Sequence, residues 1–233
     1  MLIKLILLLF IAHLLSDFIF QPQSMVDKKN EKVLNWHHVY HVIIVGVLSY
    51  MASLDINFWK AAIILMLFHL ITDICKSAFQ LKYPSKNFFF IDQGIHLVLI
   101  VAVAYAYTSL NSINFLIDLK LKTIAIIAGF VFIIKPTNII IGNLLNIFEI
   151  QISDESNDDE SLPNAGKLIG IVERFLVLAL ILIGEFAAVG LILAAKSILR
   201  FNGAQKSEYV LIGTLLSFGL AALAGILITQ FAC

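Results

Sequence analysis

Long apolar runs separated by short polar stretches make up most of the chain. A helix that crosses a bilayer needs about 20 mostly apolar residues. Segments 2–20, 37–54, 60–80, 91–108, 122–149, 168–184, 187–201 and 209–230 approach or meet that length. Polar connections fill 21–36, 55–59, 81–90, 109–121, 150–167 and 202–208. Residues 168–201 are too long for one simple span and short for two, and GEFA at 184–187 reads as a tight turn between short, tilted helices. The pattern predicts an all-α, polytopic transmembrane helix bundle of seven or eight spans. Residues 2–20 fit a first span better than a signal peptide, because His13 and Asp17 interrupt the run and no small-x-small cleavage site follows. Lys135-Pro136 should kink the fifth span, since proline removes a backbone donor and crowds the preceding turn. Lys135, near mid-membrane, needs an acidic partner or a water-filled cavity.

The polar residues inside the first four runs recur in an ordered way. All six histidines lie in residues 13–96. His13/Asp17, His37/His41, His69/Asp73 and Asp92/His96 are each four residues apart, so each pair shares one helical face. With nine Asp in the chain, chance places an Asp four residues from a His about 0.5 times; three such pairs are present. Alternating spans run in opposite directions, so all four pairs fall near the same end of the bundle. Lipid supplies no hydrogen bonds, and an ionised Asp at the bilayer centre costs roughly 2.5–3.5 kcal/mol, so such residues face the bundle interior and pair. A divalent cation would neutralise the carboxylates, and neutral imidazoles are common ligands for it. The candidate metal ligands are His13, Asp17, His41, His69, Asp73, Asp92 and His96, for one or two ions of zinc, manganese or iron. A metal-free polar network, a proton path and helix-packing contacts are the alternatives. His37 and His38 adjoin Trp36 at the interface, and His38 lies on a different face from the 37/41 pair, so only part of HHVYH can serve one site.

Three residues sit close to these pairs in a supporting position: Gln21, one turn beyond Asp17; Gln93, next to Asp92; and His37. Lys76 follows Asp73 by three, where it can pair with it, hold an anionic headgroup, or snorkel to the interface. The C-terminal part carries Glu173, Arg174, Glu185, Lys196, Arg200 and Glu208. Glu173 and Lys196 could neutralise each other across the 168–201 hairpin. Arg174, Lys196 and Arg200 are candidates for binding a phosphate or phospholipid headgroup.

Composition sharpens the class. Hydrophobic residues make up 60% of the 233 and charged residues 14%, against about 45–50% and 25% in soluble domains; mean hydropathy is +0.95. Net charge is zero, which gives no reason to expect nucleic acid. Membrane lipids are the expected partners, and homo-oligomerisation stays open. The two cysteines, Cys75 and Cys233, form no disulfide framework. The chain divides into a His/Asp-rich five-helix part, 1–150, an acidic polar loop, 151–167, containing SDESNDDES, and a C-terminal part of two or three helices, 168–233. Eleven Lys and Arg fall on the side that holds the His/Asp pairs and four on the other, with Lys135 mid-span. In the first four spans alone the count is six against two. By the positive-inside rule the polar end is cytoplasmic.

HLLSDFIFQPQSM, FHLITDICKS and FIDQGIHLVLI resemble an uncharacterised bacterial integral-membrane family, domain of unknown function 3307. GKLIGIVERFLVL, AAKSILRF and EYVLIGTLLSF resemble its C-terminal pattern, so the likeness runs from His13 to about Phe218. It implies a multi-pass protein of the bacterial inner membrane and supplies no function. FHLITD, 68–73, with HHVYH more weakly resembles small bacterial membrane-bound metal-dependent hydrolases; their acidic motif is not clearly present, so this is analogy.

Three functions fit. The first is a membrane-embedded metallohydrolase acting at the cytoplasmic interface on a lipid or lipid-linked phosphate. The second is a metal-ion or proton transporter, which the crowding of polar residues at one leaflet disfavours. The third is a non-catalytic scaffold or sensor.

Overall fold

The computed structural model describes residues 1–83, 85–150, 165–200 and 207–232. Its regular elements are all helical. Helix α1, Leu2–Leu14, runs straight into a π-helical turn, Leu15–Ile19. Then come α2, Gln23–Asn30; α3, Trp36–Ser53; α4, Trp59–Lys82, after a single 3-10 turn at Ile56–Phe58; and α5, Phe88–Leu110. Next are α6, Leu121–Ile134; α7, Pro136–Ile147; α8, Ala165–Ile183; α9, Phe186–Arg200; and α10, Ser207–Thr229.

Among the described residues, four segments are long and apolar enough to cross a membrane: Leu2–Ile19, Ile56–Lys82, Phe88–Leu110 and Leu211–Thr229. Counting α6 and α7 as one bent span makes five. That is fewer than the seven or eight suggested by the apolar runs, and the shortfall has a physical cause. Helix α3 is 18 residues long but spends three positions on His37, His38 and His41. Helix α8 carries Lys167, Glu173 and Arg174. Helix α9 has 15 residues, a rise of about 22 Å against a hydrocarbon core of about 30 Å.

The expected kink at Lys135-Pro136 is present: α6 stops at Ile134, α7 starts at Pro136, and their axes differ by 48°. The turn expected at GEFA is present too. Gly184 adopts φ +87, a left-handed conformation that glycine enters without strain, and it ends α8. The acidic run at 153–161 lies outside the described residues, while α8 begins at Ala165, inside the stretch expected as loop.

The described residues divide into two compact units, Met1–Ala128 and Gly129–Cys233. In the first, α1 packs against α3 and α5, and α4 packs against the same two, which closes a four-helix ring. One end of this ring is apolar, with Leu5, Leu9, Phe58, Ala62, Leu65, Val103 and Ala104 in one buried cluster. The loop at that end is pinned by the Tyr107 hydroxyl, which donates to Asp55 Oδ2 at 2.9 Å, and by Lys4 on Asp118 at 2.5 Å. The Lys4 hydrogen bond and charge hold the exposed Asp118 carboxyl below its ordinary pKa. The other end of the ring is polar.

In the second unit α10 packs along α8, and Gly225 permits the approach: a Cβ there would meet the Ile181 side chain at 2.7 Å. Small residues at a helix contact serve this purpose in membranes.

Candidate functional site

Four helices and one turn build the polar end of the first unit. His13 closes α1, and Asp17 sits in the π turn that follows. A π turn carries an extra residue relative to an α-helix and widens the backbone locally. His41 projects from the second turn of α3. His69 and Asp73 lie one turn apart on α4, and Asp92 and His96 one turn apart on α5. All seven side chains are buried. Three of the four expected intra-helix pairs come together: His13 Nδ1 is 3.5 Å from Asp17 Oδ1, His69 Nε2 is 3.9 Å from Asp73 Oδ2, and His96 Nδ1 is 3.7 Å from Asp92 Oδ1.

The pairs also converge across helices, which spacing alone does not establish. The imidazoles of His69 and His96 stack with centroids 3.9 Å apart, and His13 and His96 are 5.4 Å apart. His41 Nε2 and His69 Nε2 are 3.0 Å apart. Asp17 Oδ1 is 3.6 Å from the first and 3.7 Å from the second, and Asp73 Oδ2 is 3.9 Å from both. Donors bound at about 2.0–2.2 Å around a tetrahedral ion stand about 3.3–3.6 Å apart. The five separations among these atoms, from α1's π turn, α3 and α4, lie within a few tenths of an ångström of those values. Three overlapping groups offer ligand atoms that all lie within 4.8 Å of one another: His13, Asp17 and His69; His41, His69 and Asp73; and Asp73, Asp92 and His96. His41 Nδ1, Asp92 Oδ1 and His96 Nδ1 are buried without a hydrogen-bond partner, a state that calls for an explanation such as an ion or water.

The supporting residues separate. Gln93 holds His13 Nε2 at 3.1 Å and donates to Asp92 Oδ2 at 3.2 Å. Lys76 donates to Asp92 Oδ2 at 2.9 Å, pairing with Asp92 on α5. Gln21 keeps a buried amide nitrogen without a partner. His37 is half-buried, and its backbone N–H bonds the Asn35 side chain at 3.0 Å. Its neighbour His38 is the fully buried one: Nδ1 accepts from the Asn35 N–H at 3.2 Å, which leaves Nε2 to donate to Ser77 at 3.1 Å. The inward face of α3 is thus 38/41 rather than 37/41.

Several residues of the site were not singled out by the sequence. Thr72 bonds His96 Nε2 at 2.9 Å, and Ser16 donates to Asp17 Oδ1 at 2.8 Å. Ser77, one turn beyond Asp73, extends the face 69–73–77 and could have been read from that spacing. The principal omission is Lys29. It lies on α2, inside a stretch that reads as a polar connection, yet it is buried and its ammonium bonds Asp73 Oδ2 directly. Met25, four residues earlier, is buried as well, so the i,i+4 face Met25/Lys29 was the available signal.

Beside the cluster, toward the apolar core, lies a cavity of about 20 Å³, room for one water. His13, His69, His96 and Ser49 give it polar walls, and Leu9, Val45, Leu65 and Ile100 close it.

In the second unit, Arg174 is buried and its guanidinium is fully engaged. It donates to Ile133 O at 2.8 Å, Ile134 O at 3.3 Å, Asn138 Oδ1 at 2.9 Å and Ser217 Oγ at 3.0 Å. It therefore serves the helix break at Pro136, in place of the expected headgroup contact. Lys196 bonds Glu173 across the α8–α9 hairpin, the neutralisation expected from the sequence, and this occupies the second expected headgroup cation. The Arg200 side chain lies outside the described residues.

A family model described as protein of unknown function (DUF3307) matches residues 5–124, and the chain belongs to that family. The matched stretch contains every residue of the polar cluster and ends before the C-terminal motifs. No curated protein and no solved structure matches the chain.

Proposed function

We propose that this DUF3307 member is a membrane-embedded, metal-dependent hydrolase acting at the cytoplasmic interface of the bacterial inner membrane on a lipid or lipid-linked phosphate. The observation that carries the reading is the buried convergence of His41 Nε2 and His69 Nε2, 3.0 Å apart, with Asp17 Oδ1 and Asp73 Oδ2, each within 3.9 Å of both. Two neutral imidazoles and two carboxylates are a donor set suited to zinc, manganese or iron. A bound ion supplies a lowered pKa for its water and polarises a phosphoryl oxygen. The chain's own residues do the rest. Thr72 holds the His96 ring by a hydrogen bond to Nε2, and Gln93 holds His13 by one to its Nε2. Both imidazoles line the one-water cavity, and His13 is the candidate general base there. The Asp73, Asp92 and His96 group is the place for a second ion. In this reading α3 and α8 also cross the bilayer, with His38, His41 and Arg174 turned inward, which gives seven spans, or eight with α9.

One observation favours transport as a second reading. The broken helix at Lys135–Pro136 is of the kind that lines transporter sites. Against it, the path from His13, His69 and His96 toward Asp55 runs through Leu5, Leu9, Phe58, Leu65 and Val103.

The test is the metal content of the detergent-purified chain beside a His69→Ala/Asp73→Ala variant. One or two equivalents in the wild type, lost in the variant, are expected, followed by phosphate release in a lipid-phosphate screen. A folded wild type that stays metal-free after metal-replete expression overturns the reading.

A further inference from the structure

Two lysines, Lys29 and Lys76, belong to the polar cluster. Three buried carboxylates, Asp17, Asp73 and Asp92, face two ammonium groups, Lys29 on Asp73 and Lys76 on Asp92. With neutral imidazoles the cluster therefore carries one net negative charge. Lys29 bonds Asp73 Oδ2, the same oxygen that faces His41 Nε2 and His69 Nε2 at 3.9 Å. An ion that takes this oxygen thus arrives next to an ammonium already holding it. Coulomb repulsion in a poorly screened site is strong, and it favours release of the ammonium from that oxygen.

Lys29 cannot move far. Helix α2 packs on α3 and α4, Met25 buries beneath it, and the Asn35 side chain, which caps α3, also donates to the Lys28 carbonyl. The released ammonium stays beside the centre, on the side where α2 covers it. One divalent ion shifts the cluster from one net negative charge to one net positive charge, which a phosphate group bridging ion and ammonium neutralises. Lysine is a flexible point-charge donor suited to phosphoryl oxygens.

We propose that Lys29 is the substrate's phosphate-binding residue: metal loading transfers its ammonium from Asp73 to the phosphoryl oxygens of a lipid or soluble phosphate that enters beneath α2. This rests on the metal-centre reading above. It goes beyond it by naming the residue, the ligand group and the order of events, metal before phosphate.

The experiment uses the full chain in detergent. Zinc or manganese is titrated first, then inorganic phosphate, then dihexanoyl phosphatidic acid. Wild type should bind phosphate only after metal. Lys29→Met should bind metal at least as tightly as wild type, because its competitor for Asp73 is gone, and should lose about tenfold or more in phosphate affinity. Lys29→Arg should restore most of it. Phosphatidic acid binding about tenfold tighter than inorganic phosphate identifies a lipid headgroup as the source; equal affinities identify a soluble phosphate. Normal metal uptake with phosphate affinity unchanged in Lys29→Met overturns this inference alone. Absence of metal uptake by the wild type overturns the metal centre and this inference together. Should Lys29→Met not fold, amine methylation of the wild type read by mass spectrometry decides. Lys29 should be protected in the metal-free protein, reactive with metal, and protected again when inorganic phosphate is added. Reactivity unchanged by metal overturns the inference.

Discussion

His37, His38 and His41 show how one short stretch assigns three fates to one residue type. The helix begins at Asn35, whose side chain accepts the N–H of His37 and His38 while its own N–H donates to the His38 ring. That reciprocal cap fixes His38 against Ser77, and the next turn brings His41 to His69. His41→Ala should therefore abolish metal uptake, because it removes one of four donors. His38→Ala should leave metal uptake intact and lower stability by about 1–3 kcal/mol, from a lost cap and an orphaned Ser77. His37→Ala should change stability by less than about 0.5 kcal/mol. Metal analysis and denaturant unfolding of the three variants separate these outcomes. The i,i+4 rule made His69/Asp73 and Asp92/His96 legible in the sequence because those pairs are local. It placed the inward face of α3 one residue off, because the orientation of a first helical turn is set by its cap and by Ser77, 39 residues away.

At the scale of elements, proline announces itself and other departures do not. Pro136 made the break between α6 and α7 legible, since no proline can continue the ladder. Nothing in LSDFI marks a π turn, which arises where tertiary contacts reward an extra residue. Helix α2 was hidden by its length of eight residues and its polar composition. Arg174 answers the break: four of its hydrogen bonds hold Ile133 O, Ile134 O, Asn138 and Ser217. Arg174→Met should destabilise the second unit by about 2–4 kcal/mol, through the buried Arg174 hydrogen bonds to Ile133 O, Asn138 Oδ1 and Ser217 Oγ that are lost together. Arg174→Lys should not rescue it, because one ammonium cannot reproduce the planar fork. Metal uptake by residues 13–96 should persist in both variants. Loss of metal with unchanged unfolding would return Arg174 to the site chemistry.

At the scale of the whole molecule, the family match over 5–124 nearly coincides with the first unit, Met1–Ala128, so that unit carries what defines the family. Membrane orientation decides which phosphates can reach it. The proposed cytoplasmic placement of the polar end rests on charge bias, yet two of the six lysines counted there, Lys29 and Lys76, are components of the site. Without them the first four spans still hold Lys28, Lys32, Lys82 and Lys86 at the polar end against Lys4 and Lys60 at the other. Of the two, Lys4 is bridged to Asp118. The bias narrows and keeps its sign. In a Cys75→Ser/Cys233→Ser background, Lys32→Cys at the polar end should be protected from a membrane-impermeant thiol reagent in intact spheroplasts and labelled after lysis. Leu116→Cys, exposed at the opposite end, should label in intact spheroplasts. The reverse pattern would put the centre on the outer face, where cytoplasmic phosphate esters are absent and only lipids of the outer leaflet could reach Lys29. The topology measurement therefore selects the substrate panel before any activity is assayed.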